Sequence, residues 1–521
     1  MTRMTWLAGA WSTRRLAGTA VLAFVLLALI PPHGVLTENE ENYFALADRF
    51  VDGSAWPQAT AVFDASRHRM LSDATLGVLV STIGYTWAQA ATRLAVVVGY
   101  LLALPPLCAV FGLTALDAAV VVMGMSLIGQ DIVGGEWLFS GYEAKVAAYI
   151  LVLIALRLVL LGRRPVVAAG LFALATWFHF LVGGFWFLAA VALRLIDAPR
   201  DIRPARAVAL YLLLVAPLCG VIALSRLADS SVALASDVPS PDVIYSIIRE
   251  PHHQSPFLTW GYFREHWLPG YVMAAPMLLV CVGVARCGAT RRLRVVAAWL
   301  TGLLAYLFVV LVPKYLDRDT GVLGKFYLFR PSSLIELLWL ILALACAMQA
   351  AGRHARLLRS VLLAAIGPAF CYLQADHVVR EVRAAGAAER GKELVARQVM
   401  WLTGPGGVVL LDPDVEAQWL DFERRTGRPI WVTWKYAPTN DAELIKWYRR
   451  MEQRRVLFER GCDRPIDASG PVFLLTTRAT AARLAANCGP EVMDAGGWVL
   501  LKTSRQAGGV PADAPAAPQP R

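Results

Sequence analysis

The chain has 521 residues, of which 57% are hydrophobic and 17% charged, with a mean hydropathy of +0.51. Soluble proteins average about 25% charged residues, so a soluble globular protein is excluded and a polytopic α-helical membrane protein is expected. The formal net charge of +11 does not indicate nucleic acid, because the basic residues are dispersed and lack a recognition motif.

The first apolar stretch, 16–35, follows Arg3, Arg14 and Arg15 and is long enough, at about twenty residues, to span a bilayer. No small-x-small cleavage site occurs at Pro31, Pro32, His33 and Gly34, so the stretch reads as a span rather than a signal peptide. The preceding arginines keep the N-terminus cytoplasmic. The run Thr37-Glu38-Asn39-Glu40-Glu41-Asn42-Tyr43-Phe44 then emerges on the far side. Carboxylates at the rim of the hydrocarbon are costly unless they face water, a partner or a substrate. Two readings stand for Glu38, Glu40 and Glu41. They cap a helix over 43–50 in an acidic outer loop, or one of them is a general base for a hydroxyl attacking a sugar's anomeric carbon.

Further spans are predicted at 92–113, 115–129, 140–161, 165–178, 180–195, 206–225, 269–287, 295–313, 333–350 and 357–375. A helix near 81–91 is also expected to lie on the outer surface or to join them. Basic clusters at Arg163-Arg164, at Arg194, Arg200, Arg203 and Arg206, at Arg286, Arg291, Arg292 and Arg294, and at Arg353, Arg356 and Arg359 then all fall in the cytoplasm. The result is about eleven crossings, N-terminus in and C-terminus out. The spans around Trp177-Phe178-His179-Phe180 are short and need a tight turn near Gly183-Gly184.

This topology gathers the chemically interesting side chains outside. Asp131, Glu136, Glu143 and Lys145 sit in and just after the second outer loop, where ionisable groups pointing into a polar cavity read as functional. Glu143 and Lys145 are two apart, so on one helix they would face different ways and not pair. His179 reads as a substrate-orienting residue or as a satisfied helix-end histidine. The loop at 227–269 carries Arg249, His252 and His253, with Arg264 and His266 after them. The loop at 313–331 carries Lys314, Arg318, Lys325 and Arg330 beside Asp317 and Asp319. Lys314 and Arg330 are phosphate ligands or cations snorkelling at span ends.

Beyond a membrane module at 1–375, a charged connecting helix is expected at 376–400, an outer α/β domain at 401–505 and a disordered tail at 506–521. Strands are expected at 408–411, 430–434, 472–476 and 498–501, and helices near 415–425, 442–453 and 479–486. Cys462 and Cys488 lie in this domain, where an oxidising compartment allows a disulfide; the alternative is two unrelated buried thiols. Trp431, Trp434, Trp447 and Tyr448 stack on an acceptor glycan or pack in the core. No dinucleotide fingerprint or P-loop occurs, which favours a lipid-linked donor over a nucleotide sugar.

A first span ending in acidic residues just before a tyrosine resembles the GT-C superfamily of membrane glycosyltransferases, in particular its lipid A aminoarabinose and protein mannosyl branches. Their Asp-Glu-x-x-Tyr pattern lies on Asn39-Glu40-Glu41-Asn42-Tyr43. Asn stands at the Asp position, which leaves the base open between Glu40 and Glu38. Arg249-Glu250-Pro251-His252-His253, Trp434-Lys435 and Trp447-Tyr448-Arg449-Arg450 resemble a bacterial membrane family allied to these enzymes. The resemblance implies a sugar donor on polyprenyl phosphate or diphosphate, with inversion at the anomeric carbon. The acceptor would be a lipid, glycan or protein at the periplasmic face of a bacterial inner membrane. Its leaving group is an anionic lipid phosphate that needs cations or a metal, a role for Arg249, His252, His253, Lys314 and Arg330. A divalent metal between the first acidic loop and 131–143 fits oxygen ligands, but no spacing demands one. Other classes are a polysaccharide or lipid transporter or flippase, and a polysaccharide polymerase or ligase. A transporter should show duplicated halves and midplane ionisable groups; here the ionisable groups gather at one face.

Overall fold

In the computed structural model, residues 13–31, 36–53, 67–198, 203–229, 238–462, 466, 468 and 470–503 are described. Arg3, Pro32, His33, Gly34, Arg200 and the tail expected at 506–521 lie outside them. The described chain divides into two units, one up to Val51 and from 67 to Val382, the other Asp52 and Gly53 with the residues from Arg383 on. The division falls inside the helix Ala355–Thr403, where the expected boundaries were 375 and 400.

Helices of the first unit cover Thr13–Ala28, Glu38–Val51, Met70–Ala109, Ala115–Ile128, Ala144–Leu160, Pro165–Phe178, Phe180–Asp197, Arg203–Asp229, Leu268–Cys287, Arg291–Val309 and Ser332–Ala351. Among the described residues, six helical segments are long and apolar enough to cross a membrane by length and composition, and Thr13–Ala28, Ala115–Ile128 and Pro165–Phe178 contain shorter apolar helices. Their outer faces carry Leu188, Leu213 and Leu279, each about two-thirds exposed or more. Such faces suit lipid rather than water. The molecule is an integral helical membrane protein.

Ala144–Leu160 packs against Met70–Ala109, Pro165–Phe178 and Phe180–Asp197. Its Ala148, Tyr149, Val152, Leu153, Ala155 and Leu156 are buried, the three-to-four spacing of a core-facing helix stripe. The segment at 81–91 is not a separate surface helix. It belongs to Met70–Ala109, which also holds the span expected at 92–113 and leaves helical geometry at Gly84 (φ 75°, ψ 165°). Ala115–Ile128 starts with a capping box between Thr114 and Asp117, and Asp117 also accepts from Arg359 Nε at 2.6 Å and Nη2 at 2.9 Å. One carboxylate thus caps the start of one helix and ties it to another.

The second unit holds a four-stranded sheet, β1 (Val408–Leu411), β2 (Val472–Thr477), β3 (Glu491–Ala495) and β4 (Trp498–Lys502), in the order β1-β2-β4-β3. β1 and β2 run parallel; the other pairs are antiparallel. The strand expected at 430–434 reduces to one parallel bridge, Val409 with Ile430. The helix expected near 415–425 is two short ones, Pro413–Glu416 and Phe422–Thr426. Asp441–Arg460 and Arg478–Cys488 cover the other two. Trp431 and Trp447 are core residues, 1% and 0% exposed, with Trp447 Nε1 donating to the Thr433 carbonyl at 2.7 Å; neither is placed to stack on a glycan. Cys462 and Cys488 are joined, Cα to Cα 4.8 Å.

Candidate active site

Two loops of the membrane unit are pinned against each other. Gln130 closes the first: its Oε1 accepts from the Leu138 and Phe139 amides at 3.0 and 2.7 Å, and its Nε2 donates to the Phe139 carbonyl. Tyr100 OH donates to the Leu138 carbonyl at 2.7 Å. The second loop ends at Arg330, whose carbonyl accepts from Tyr149 OH at 3.0 Å. Ser332 Oγ donates to the Val133 carbonyl at 2.6 Å, joining the two. Tyr327, one residue type away from the glycine its left-handed backbone favours (φ 46°), is held there by Tyr245, hydroxyl to hydroxyl 2.8 Å.

Between these loops lies a buried charge network. Glu136 accepts from Lys145 Nζ at 2.7 Å and from Arg330 Nε at 2.8 Å. Burial alone would raise its carboxyl, but Arg330, Lys145 and His253 hold it well below the ordinary carboxylate range. Lys145 also approaches Glu143 at 3.5 Å and lies 3.9 Å over the Trp137 ring. This pairing corrects the expectation from helix faces: Glu143 precedes the helix and has extended backbone (φ −140°, ψ 152°). Glu143 Oε1 accepts in addition from Trp137 Nε1 at 2.7 Å and Asn39 Nδ2 at 3.1 Å. Arg330 Nη1 meets His179 Nε2 at 2.9 Å. A guanidinium only donates, so this nitrogen accepts; Nδ1 faces the Val182 amide at 3.4 Å and caps the helix Phe180–Asp197. Arg330 stacks 3.9 Å over Tyr327. Its Nε and Nη1 are taken, and Nη2 makes no hydrogen bond to a described residue.

Glu40 is placed differently from the role expected of it. It is fully buried. Arg93 binds both of its oxygens; Tyr142 N donates to Oε1 at 3.0 Å and Thr37 N to Oε2 at 3.1 Å. The Glu40 amide in turn donates to Thr37 Oγ1 at 3.1 Å, a capping box that starts Glu38–Val51. Gly141 makes room, since a Cβ there would lie 2.1 Å from Glu40 Oε1. Among the described residues the carboxylate is enclosed by these partners. It is a clamp between a helix start, a second helix and the loop at 129–143. Glu38 is exposed and Glu41 buried in the same first turn.

His253 joins the network through its ring nitrogen Nδ1 on the Gly134 carbonyl. A carbonyl accepts, so Nδ1 donates, and Nε2 lies 3.6 Å from Glu250 Oε2. Glu250, His252 and His253 bring ligand atoms within 4.8 Å of one another. Among the described residues these could hold a divalent cation, with the His253 proton directed as a metal-bound imidazole requires. They lie on one loop, not between the first acidic loop and 131–143 as expected. Arg249 pairs with Glu250 at 2.9 Å.

Lys314 belongs elsewhere: it pairs with Asp317 at 3.2 Å, and Asp317 also binds Thr320 Oγ1 and the Leu323 amide. Asp131, half-buried, has its carboxyl pushed up to about 6 by desolvation, against the Glu136 and Gly135 amides that favour its charge. Glu136, Glu143, Lys145, His179, His253 and Arg330 therefore come together, with Asp131 at their edge. Sequence reasoning missed Arg93, Trp137, Tyr245, Tyr327 and Glu336. A signal existed for two of them: Arg93 and Glu336 are lone charges within the apolar stretches 92–113 and 333–350. Glu336 is fully buried, and neither of its oxygens has a hydrogen-bond partner among the described residues.

Fold and site define an integral helical membrane protein with a buried, charge-paired centre at the starts of Ala144–Leu160 and Ser332–Ala351. A family model described as a domain of unknown function, DUF6798, matches residues 395–453. No curated protein matches the sequence. Among solved structures the chain is similar to ArnT from Cupriavidus metallidurans bound to undecaprenyl phosphate, with TM-score 0.49 and 15% identity over 95% of this chain and 98% of that one. For ArnT from the same organism in the apo state the values are 0.48 and 14%, over 94% and 97%.

Proposed function

We propose that the protein is an inverting membrane glycosyltransferase that moves a sugar from a polyprenyl-phosphate donor to a lipid, glycan or protein acceptor at the periplasmic face. The observation that carries this reading is the Glu136 cluster, in which Lys145 and Arg330 are held charged and oriented inside a low-dielectric site. A departing lipid phosphate gathers negative charge, and cations fixed in advance stabilise it most where water is excluded. Arg330 offers its remaining Nη2 and a planar guanidinium that stays charged; His253, 13% exposed at its side chain, and Arg249 lie on the neighbouring loop. The acceptor hydroxyl attacks the anomeric carbon, its proton passes to Asp131, and the carbon–oxygen bond to phosphate breaks with its electron pair going to the phosphate. A carboxyl near 6 and partly open to solvent suits a base working near neutrality. Glu40 takes a positioning role in this reading, and Glu38 and Glu41 are tested beside Asp131 by Gln replacement.

The test is turnover of undecaprenyl-phosphate-linked sugars by the purified full chain, followed as release of undecaprenyl phosphate. Arg330→Gln is expected to slow release by about 10²-fold or more. Turnover equal to wild type would remove the phosphate assignment.

A further inference from the structure

We propose that the end of the membrane unit remote from Arg330 binds the phosphate head group of an anionic phospholipid. Ala144–Leu160 and Ser332–Ala351 begin at the charge network; their far ends, with the start of Arg291–Val309, enclose a cavity of about 590 Å³. Its charged lining is Arg194, Arg291, Arg292 and Asp197. Asp197 accepts from Arg194 Nη1 at 2.8 Å and pairs with Arg291 Nη2 at 2.8 Å, while Arg292 Nη1 donates to the Val110 carbonyl at 2.8 Å. Asp197 thus binds two of the guanidiniums and not Arg292, and the lining residues hold three guanidiniums to one carboxylate. Arg291 opens the helix Arg291–Val309, capped by Thr290, so the backbone dipole adds to that excess.

A second observation selects a lipid over a soluble anion. An apolar crevice adjoins the cavity, with Val159, Gly162 and Arg194 lining both, and is walled by Phe172, Phe187 and Val191. Arg163 also lines this crevice. Charge beside an apolar channel matches a phosphate with its acyl chain attached, whereas a free anion has no use for the crevice. The four basic clusters of the sequence place this end in the cytoplasm, the side whose leaflet presents anionic lipid.

The test uses the full chain in nanodiscs of phosphatidylglycerol and phosphatidylcholine in equal amounts, with retained lipid read by native mass spectrometry. Wild type is expected to retain phosphatidylglycerol over phosphatidylcholine, and Arg291→Gln to cut that preference about fivefold, the effect of one interfacial cation. Arg291 is 69% exposed at its side chain, so its replacement removes little buried packing. Arg318→Gln, in the loop at the other end, should leave retention unchanged. Equal retention of both lipids by wild type, or an unchanged preference in Arg291→Gln, would overturn the proposal. So would occupancy by added inorganic phosphate with no preference between the lipids, which would mark a free-anion site.

Discussion

Glu136 is shared by Lys145 and Arg330 inside the protein, so its charge depends on both, and theirs on it. Its carboxyl sits below its ordinary value of 4.5. A depressed carboxylate stabilises the fold above its unfolded-state pKa and loses that contribution as pH falls through the folded one. Thermal stability should therefore fall below about pH 4.5 in wild type, and Glu136→Gln should lose much of that acid dependence while being less stable near neutrality. Identical pH profiles for the two would contradict the network. Asp131 is the opposite case. Its carboxyl, raised from 3.8 to about 6, becomes a proton acceptor as pH rises through that value. Turnover should climb across about pH 6, and Asp131→Asn should flatten the climb and lower the rate by about 10²- to 10⁴-fold. An unchanged limb in Asp131→Asn would remove it as the base. Glu40→Gln leaves Arg93 with half a partner in a buried pair, and a loss of about 3–5 kcal/mol is expected by denaturant unfolding.

At the scale of elements, helices proved readable because apolar runs of span length have few other solutions in lipid. Ala115–Ile128, Pro165–Phe178 and Phe180–Asp197 lie within one or two residues of the expected ranges. What resisted reading was tertiary. Glu143 and Lys145 pair because the helix begins between them, a boundary that spacing alone does not reveal. The partner that encloses Glu40 was hidden for the same kind of reason: Arg93 is 53 residues away. In the second unit β3 went unread, although Gly496-Gly497 before Trp498 is a hairpin turn signal. Gly141→Ala tests the clamp between the loop at 129–143 and the helix Glu38–Val51. It should destabilise, and its effect should fall short of additive with Glu40→Gln, because both unseat one contact. Full additivity would mean that Gly141 acts elsewhere. Replacing Cys462 and Cys488 by Ser should lower the stability of the second unit by about 2–4 kcal/mol, seen as an earlier melting step; an unmoved step would contradict a structural disulfide.

For the whole molecule, the account rests on two ends with different chemistry. Ala144–Leu160 has 17 residues, about 25 Å of helix, close to the thickness of the hydrocarbon layer. Glu143 and Lys145 stand at one end, Gly162 and Arg163 at the other. That polarity was legible in the sequence from arginine placement alone, whereas the convergence of loops 129–143, 240–255 and 311–331 on one centre was not. Impermeant thiol labelling of single cysteines introduced at Glu38 and at Arg163 should find them on opposite sides of the membrane, and labelling on one side would break the topology. The central claim is that Arg330 and its neighbours receive a lipid phosphate. Equilibrium binding of undecaprenyl phosphate to the purified full chain tests it most directly. Binding should be saturable and should weaken about tenfold or more in Arg330→Gln, the cost of one charge-assisted contact. Equal affinity in the two proteins would contradict it.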